Sequence, residues 1–159
     1  AKYFVAHMMS GAAASLQNFL PAIIFVVAVI LSFSTGTSWG TFGILIPIVT
    51  AIFPVGSTLG IMGMSACLAG AVCGDHVSPI SDTTVMSSAG AQSNHINHVS
   101  TQMQYAMIVA LVCVIGYVIA GFVKIWWVVL GISLAILFLV LTCMKNASKG
   151  KEAKVVEND

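Results

Sequence analysis

Only two formally charged side chains, Asp75 and Asp82, lie in the long stretch between Lys2 and Lys124. The residues around them are mainly valine, isoleucine, leucine, alanine, methionine and phenylalanine. An ionisable side chain inside a membrane-spanning region is costly, so its presence there usually indicates a function. We therefore expect the two aspartates to form the functional centre of the chain. The alternatives are a water-exposed loop and a pair of buried structural hydrogen bonds.

The composition is that of an integral membrane protein. Charged residues make up 7% of the 159 residues and hydrophobic residues 58%, with a mean hydropathy of +1.01. Soluble domains carry roughly 25% charged residues. The net charge of +1 gives no indication of a nucleic-acid partner. Four cysteines lie in apolar runs without metal-ligand spacing, which favours packed side chains over disulfides: Cys67, Cys73, Cys113 and Cys143.

The segment 74–84 is typical of an interrupted helix. Pro79 has no backbone N–H, clashes with the preceding turn and pushes Ser78 out of helical geometry. Gly74 adds backbone freedom just upstream. We expect a broken helix over 56–89.

The first half-helix should end near residues 73–74, and the second should begin near Ser81, a plausible N-cap. At membrane depth such a break is tolerated only where it is buried in protein or lines an aqueous cavity. Oxygen atoms, which hard cations prefer as ligands, are carried here by Asp75, Ser78, Ser81, Asp82, Thr83 and Thr84.

Two short apolar runs precede the broken helix. Residues 22–33 and 41–53 flank a stretch of small and hydroxyl-bearing residues that contains Thr37 and Ser38. Each run gives about 20 Å of helix, less than the hydrocarbon core of about 30 Å. We favour a re-entrant hairpin over 20–54, with Thr37 and Ser38 facing the broken helix, because short Gly-interrupted segments mark transporter sites. One or two tilted spanning segments are the alternative.

Two other stretches are interpreted as connections. Residues 3–19 are predicted to form a helix end or an amphipathic connector that runs into Pro21. The polar interval 90–101 reads as an aqueous loop. Its His95 and His98 have the spacing of a pair of metal ligands on a helix, but two ligands alone are weak evidence, so a solvated loop is the favoured interpretation.

The last part of the chain predicts two spanning helices, over 103–123 and 126–144. Together with the preceding segments they make residues 1–144 a membrane transport domain. The tail, 145–159, contains four lysines, and the positive-inside rule places it in the cytoplasm.

The chemistry expected of the two aspartates is exchange of a cation for a proton. Burial disfavours an ionised carboxyl group, and a second carboxylate nearby disfavours it further, whereas a bound cation favours it. A proton and a metal cation would therefore compete for Asp75 and Asp82. His76 could relay protons or bind the ion, and a structural hydrogen-bonded role is equally expected for it.

Residues 34–41 (STGTSWGT) and 74–84 (GDHVSPISDTT) resemble the signature stretches of the NhaC-type sodium/proton antiporters, and residues 88–91 and 94–99 are similar as well. The likeness extends over about residues 19–105. It implies an all-α membrane protein of the ion-transporter superfamily, in which two inverted repeats each contain a re-entrant hairpin and a broken helix. The chain looks like the C-terminal repeat, so the N-terminal repeat would be a missing partner.

The resemblance also implies a secondary antiporter of the inner membrane, which exchanges Na⁺ for H⁺ and needs no further cofactor. The lipid bilayer is its environment, and a homodimer is a candidate assembly. The residues expected to bind the cation or proton are Asp75, Asp82, Ser78, Ser81, Thr83, Thr37 and Ser38, with His76 as a candidate relay.

Two rival functions are less favoured. Relatives with the same signature include sodium-linked malate/lactate exchangers, but an organic acid would find no fixed cation between Lys2 and Lys124 and would depend on helix N-termini. An intramembrane protease could use Ser38, which lies in a G-x-S-x-G pattern, or the paired aspartates. That pattern requires a strand–turn–helix, and both acids lie on one broken segment.

Overall fold

The computed structural model describes residues 14–54 and 56–156. Within these residues the chain forms six α-helices and no strand: α1 (Ala14–Thr35), α2 (Ser38–Ile52), α3 (Thr58–Val77), α4 (Asp82–Gly90), α5 (His95–Phe122) and α6 (Trp126–Val156). Four of them are long and apolar enough to cross a membrane, namely α1, α3, α5 and the part of α6 up to Lys145. The prediction of an all-α membrane protein is confirmed.

The first helix is longer than the sequence predicted. Of the stretch 3–19, predicted to be a helix end or connector that runs into Pro21, residues 3–13 lie outside the described residues. Residues 14–19 belong to α1, which continues through this proline, and the proline is fully buried. The 22 described residues of α1 give about 33 Å of helix. The expectation that neither arm can span is therefore wrong for α1. Neighbouring helices can compensate in a membrane for the N–H that a proline lacks.

The second arm is short, as expected. Helix α2 has 15 residues, which give about 22 Å, less than the hydrocarbon core of about 30 Å. Thr37 is its N-cap and accepts a hydrogen bond from the backbone N–H of Gly40. A re-entrant path for this arm stays a prediction.

The core is formed mainly by the close packing of α3 on α1. A Cβ atom at Gly70 would lie 2.5 Å from the carbonyl oxygen of Phe25, and one at Gly74 would overlap the carbonyl oxygen of Val29. Small residues at such positions let two helix backbones approach each other. Buried apolar side chains surround this contact: Leu20, Ile24, Phe25, Ala28, Leu45, Val49, Phe53, Ala66, Cys67 and Ala71.

The polar interval 90–101 is mostly helical, which corrects the interpretation as an aqueous loop. Only residues 91–94 lie outside helices, and α5 begins at His95 rather than near Met103. Asn94 caps α5 by accepting the N–H of Asn97 at 3.1 Å. This cap, together with side-chain contacts to the broken helix, keeps the polar first turns helical, so α5 extends to 28 residues.

The last helix lies on the outside of the described bundle. Helix α6 packs along α5, where its Ser133 side chain reaches Gly116. At its start the rings of Trp126 and Trp127 stack with centroids 3.5 Å apart. Tryptophan is enriched at membrane interfaces, and the adjacent Lys124 is exposed. The helix continues to Val156, beyond the predicted span at 126–144.

Substituting Gly74 tests the close packing of α3 on α1. We expect Gly74→Ala to destabilise the folded protein by about 1–3 kcal/mol, because its methyl group has to displace the α1 backbone. Gly43→Ala is the matched control, since a Cβ at Gly43 meets nothing within 4 Å. Melting temperatures in detergent, followed by tryptophan fluorescence, would compare them. Equal melting temperatures for the two variants would contradict the packing.

Candidate functional site

The centre of the candidate site is the break between α3 and α4. Helix α3 ends at Val77 and α4 begins at Asp82, so residues 78–81 are not helical. Ser78 and Ser81 have extended backbone angles on either side of Pro79, with ψ of 129° and 133°. The break predicted from the proline is present. The first half-helix continues to Val77 instead of ending near residues 73–74.

Asp75 lies in the last turn of α3 and is the buried acid of the described residues. Its side chain is 8% exposed, and its Oδ1 atom has no hydrogen-bond partner among the described residues. A buried carboxylate is costly unless it is paired, hydrogen-bonded or bound to a cation. The group is therefore suited to hold a proton or a positive ion.

Asp82 has a different environment from Asp75. It is exposed at the first turn of α4, where its Oδ1 accepts the N–H of Thr83 at 2.8 Å. A carboxylate at a helix N-terminus also interacts favourably with the helix dipole. The structure thus gives the two acids separate local roles, and a shared ion remains a prediction for Asp82.

The hydroxyl groups of the break make structural hydrogen bonds. Ser78 is fully buried and its Oγ donates to the carbonyl oxygen of Phe33 at 2.8 Å. Ser81, also fully buried, occupies the N-cap position without capping and pairs with the hydroxyl of Thr83 at 2.8 Å. A hydroxyl oxygen that donates its proton still has lone pairs for a cation, so these side chains remain available as neutral ligands.

The turn between α1 and α2 packs directly against the break. Gly36 has a φ of +66°, and a Cβ there would lie 3.0 Å from the carbonyl oxygen of Ile80. Thr37 and Ser38 follow and are both half-buried. The G-x-S-x-G pattern around Ser38 joins two helices, so the strand it would need as a hydrolase motif is not present at this position.

His76 contributes its backbone to the site, while its ring is exposed. Its carbonyl oxygen accepts the hydroxyl of Thr84 at 3.1 Å and the side-chain Nε2–H of Gln102 at 2.9 Å. Gln102 was missed by the sequence analysis, which placed it at the edge of a loop. A polar side chain within a helix that is long enough to span is the signal that could have identified it.

The side chain of His95, at the start of α5, forms hydrogen bonds with the break and with α4. Its Nε2–H donates to the carbonyl oxygen of Pro79 at 2.8 Å, and its Nδ1 is 3.0 Å from the hydroxyl of Ser88 on α4. Both ring nitrogens are thus engaged, and no group of three His, Cys, Asp or Glu residues that could hold a metal is found in the described chain. A metal site formed by His95 and His98 is therefore not supported. The interpretation of His95 as part of a solvated loop is wrong, because its side chain is half-buried at the start of α5.

Comparison with known proteins identifies the family. The profile of the Na⁺/H⁺ antiporter family matches residues 2–122. The chain belongs to this family. The resemblance noted in segments 34–41 and 74–84 is thereby confirmed at the level of the family. No solved structure matches the chain significantly.

Three relatives each match 61–67% of this antiporter-family chain. An uncharacterised protein of Haemophilus influenzae is 55% identical over 107 residues, which are 67% of this chain and 21% of that protein. A malate-2H⁺/Na⁺-lactate antiporter of Bacillus subtilis is 33% identical over 100 residues, 61% of this chain and 21% of that protein. An arginine/ornithine antiporter of Halobacterium salinarum is 33% identical over 113 residues, 67% of this chain and 23% of that protein. The chain spans about a fifth of the length of these relatives.

Removal of the Ser78 hydroxyl tests how the break is anchored in this antiporter-family member. We expect Ser78→Ala to lower stability by about 1–3 kcal/mol, because the Phe33 carbonyl in the last turn of α1 loses its donor. Ser87→Ala is the control, since Ser87 is exposed and its hydroxyl donates to Thr84 in its own helix at 3.1 Å, with a longer contact of 3.5 Å to Nε2 of His98. Melting temperatures in detergent measure both. A Ser78→Ala protein as stable as the control would show that this hydrogen bond does not anchor the break.

Proposed function

We propose that this chain forms the ion-binding segment of a multi-pass secondary antiporter, which exchanges Na⁺ for H⁺ across the cytoplasmic membrane. Membership of the Na⁺/H⁺ antiporter family supports the reaction class. The observation that carries the proposal is the buried Asp75 carboxyl group, whose Oδ1 has no hydrogen-bond partner among the described residues. Such a group, at a break in a helix long enough to span, is suited to bind and release small cations.

Exchange follows from competition for one negative charge. In a low-dielectric environment Asp75 is stable when it carries a proton or when a cation lies beside it, and it is unstable when ionised and alone. Binding of Na⁺ would therefore release the proton, and binding of the proton would release Na⁺. The site would change the side of the membrane to which it is open only when Asp75 carries a proton or a cation. This restriction couples the two fluxes.

The remaining ligands of Na⁺ would be neutral oxygens around the break. The hydroxyls of Ser78, Ser81 and Thr83 lie within or beside it. Thr37 and Ser38 would approach from the turn that packs on Ile80 through Gly36. Asp82 would supply a second negative charge at the start of α4. His76 is the candidate relay, because its exposed ring directly follows Asp75.

The proposed orientation places the C-terminal tail in the cytoplasm. The four lysines in the last part of α6, from Lys145 to Lys154, would be retained on that side by the positive-inside rule. The turn at Lys124, with Trp126 and Trp127 beside it, would then lie at the outer interface. Movement of this unit relative to the rest of the carrier would expose the site to each side in turn.

The charge of the site favours an inorganic cation over an organic acid. Two relatives are named for malate and lactate and for arginine and ornithine, so antiporters of differing cargo resemble this chain. An organic anion usually requires a cationic partner, yet the sequence has no lysine or arginine between Lys2 and Lys124. The N-terminus of α4 could contribute positive dipole charge, but Asp82 already occupies its first turn.

Neutralising the two aspartates tests the assignment of the charge. We expect Asp75→Asn in the full-length protein to lower Na⁺-driven proton flux in proteoliposomes at least about 100-fold, because a neutral amide cannot exchange a proton for a cation. Asp82→Asn should lower the flux while leaving α4 intact, since asparagine can still accept the Thr83 N–H. Gln104→Leu, at an exposed position of α5, controls for insertion and folding. Wild-type flux in Asp75→Asn would disprove the mechanism.

The pH dependence of Na⁺ transport tests the competition itself. Where the site is mostly protonated, we expect the apparent KM for Na⁺ to rise up to about tenfold for each unit by which the pH falls, because one proton displaces one Na⁺. Where the site is ionised, KM should be independent of pH. Uptake of ²²Na⁺ at a series of pH values, without any organic acid, measures this relation. A pH-independent KM throughout, or a requirement for an organic acid, would contradict Na⁺/H⁺ exchange.

A further inference from the structure

Two buried side-chain oxygens in the described part of the chain have no hydrogen-bond partner, Oδ1 of Asp75 and Oε1 of Gln102. In folded proteins the large majority of buried polar side-chain atoms are paired, so each exception requires an explanation. Oε1 is an acceptor, and so is Oδ1 when Asp75 is ionised. What both then lack is a positively charged or hydrogen-donating partner.

The orientation of the Gln102 amide is fixed by its own hydrogen bond. Nε2 donates to the carbonyl oxygen of His76 at 2.9 Å. A carbonyl oxygen can only accept, so exchanging the two ends of the amide would place two acceptors against each other. The free oxygen is therefore a consequence of the structure, and turning the side chain over does not remove it.

The same hydrogen bond joins Gln102 to the residue that follows Asp75. His76 directly follows Asp75 in the last turn of α3, and its carbonyl oxygen also accepts the hydroxyl of Thr84 on α4 at 3.1 Å. Helices α3, α4 and α5 thus meet at this one oxygen. The amide of Gln102 is held at the end of the half-helix that carries the buried acid.

We propose that Oε1 of Gln102 is a ligand of the transported cation, together with the carboxylate of Asp75. This inference rests on the proposed function of the break as a Na⁺ site. A cation bound there would give both oxygens the partner that each lacks. Gln102 also donates to the end of the broken helix, so the ligand oxygen is held in place before the ion arrives.

The charge of this pair defines the class of ion. One buried carboxylate and one neutral amide oxygen balance a single positive charge, while Asp82 is exposed and accepts the N–H of Thr83. A divalent ion would retain an uncompensated charge in a desolvated site, which is costly. The arrangement therefore selects a small monovalent cation that prefers oxygen ligands, such as Na⁺ or Li⁺.

Binding of Na⁺ and of Ca²⁺ to the purified full-length protein, measured by calorimetry, tests the ligand role. We expect Gln102→Leu to weaken Na⁺ binding by about tenfold or more, within the range seen when a group supporting a metal site is removed. Gln102→Glu loses the donor to the His76 carbonyl, which still accepts the Thr84 hydroxyl. It keeps an oxygen at this position and adds a negative charge, so it should gain Ca²⁺ binding that the wild type lacks. The matched controls are Gln104→Leu and Gln104→Glu, because Gln104 is exposed on the same helix.

Both results are required. Wild-type Na⁺ affinity in Gln102→Leu would overturn the proposal, and so would a Gln102→Glu protein that binds no more Ca²⁺ than Gln104→Glu. If Gln102→Leu does not fold, the Ca²⁺ result alone decides. Asp75→Asn separates this inference from the proposed function. If it loses Na⁺ binding while the Gln102 variants behave like their controls, only the role of Gln102 is wrong, whereas retained Na⁺ binding would refute the site itself.

Discussion

Backbone groups freed by a broken helix must find partners inside the protein, because the hydrocarbon core of a membrane offers none. Hydrogen bonds join this break to both α1 and α5. Ser78 of the break donates back to α1 at the Phe33 carbonyl, and α5 donates to the carbonyls of His76 and Pro79 through Gln102 and His95. The interruption next to the buried Asp75 is stable because α1 and α5 both share in its hydrogen bonds.

Close packing of the helix backbones allows these hydrogen bonds to form. Gly70 and Gly74 bring α3 against α1, and the hydroxyl of Ser32 on α1 donates to the Ala71 carbonyl of α3. The ring of Phe25, which lies on α1, packs on the ring of Tyr117 from α5, with centroids 5.3 Å apart. Small residues therefore fix α3 on α1, and this aromatic pair joins α1 to α5.

The parts of the site that depend on local chemistry could be predicted from the sequence. Pro79 has no backbone N–H and restricts Ser78, so the break could be predicted, and an acid within an apolar stretch is conspicuous, so Asp75 could be singled out. The continuation of α1 through Pro21, the early start of α5 and the role of Gln102 could not be predicted. Each depends on contacts between distant segments, such as the 26-residue separation between His76 and Gln102, which no local pattern encodes.

The hydrogen bonds of His95 to Pro79 and Ser88 can be made in both charge states of its ring. Nε2 carries a proton in every state, because the Pro79 carbonyl can only accept. Nδ1 can accept from the Ser88 hydroxyl when the ring is neutral. When the ring is charged, Nδ1 can donate to Ser88, whose hydroxyl then turns to the Val85 carbonyl at 2.8 Å. Either charge of the imidazole is thus compatible with the hydrogen bond to Pro79, so the link between α5 and the break does not depend on one protonation state of this ring.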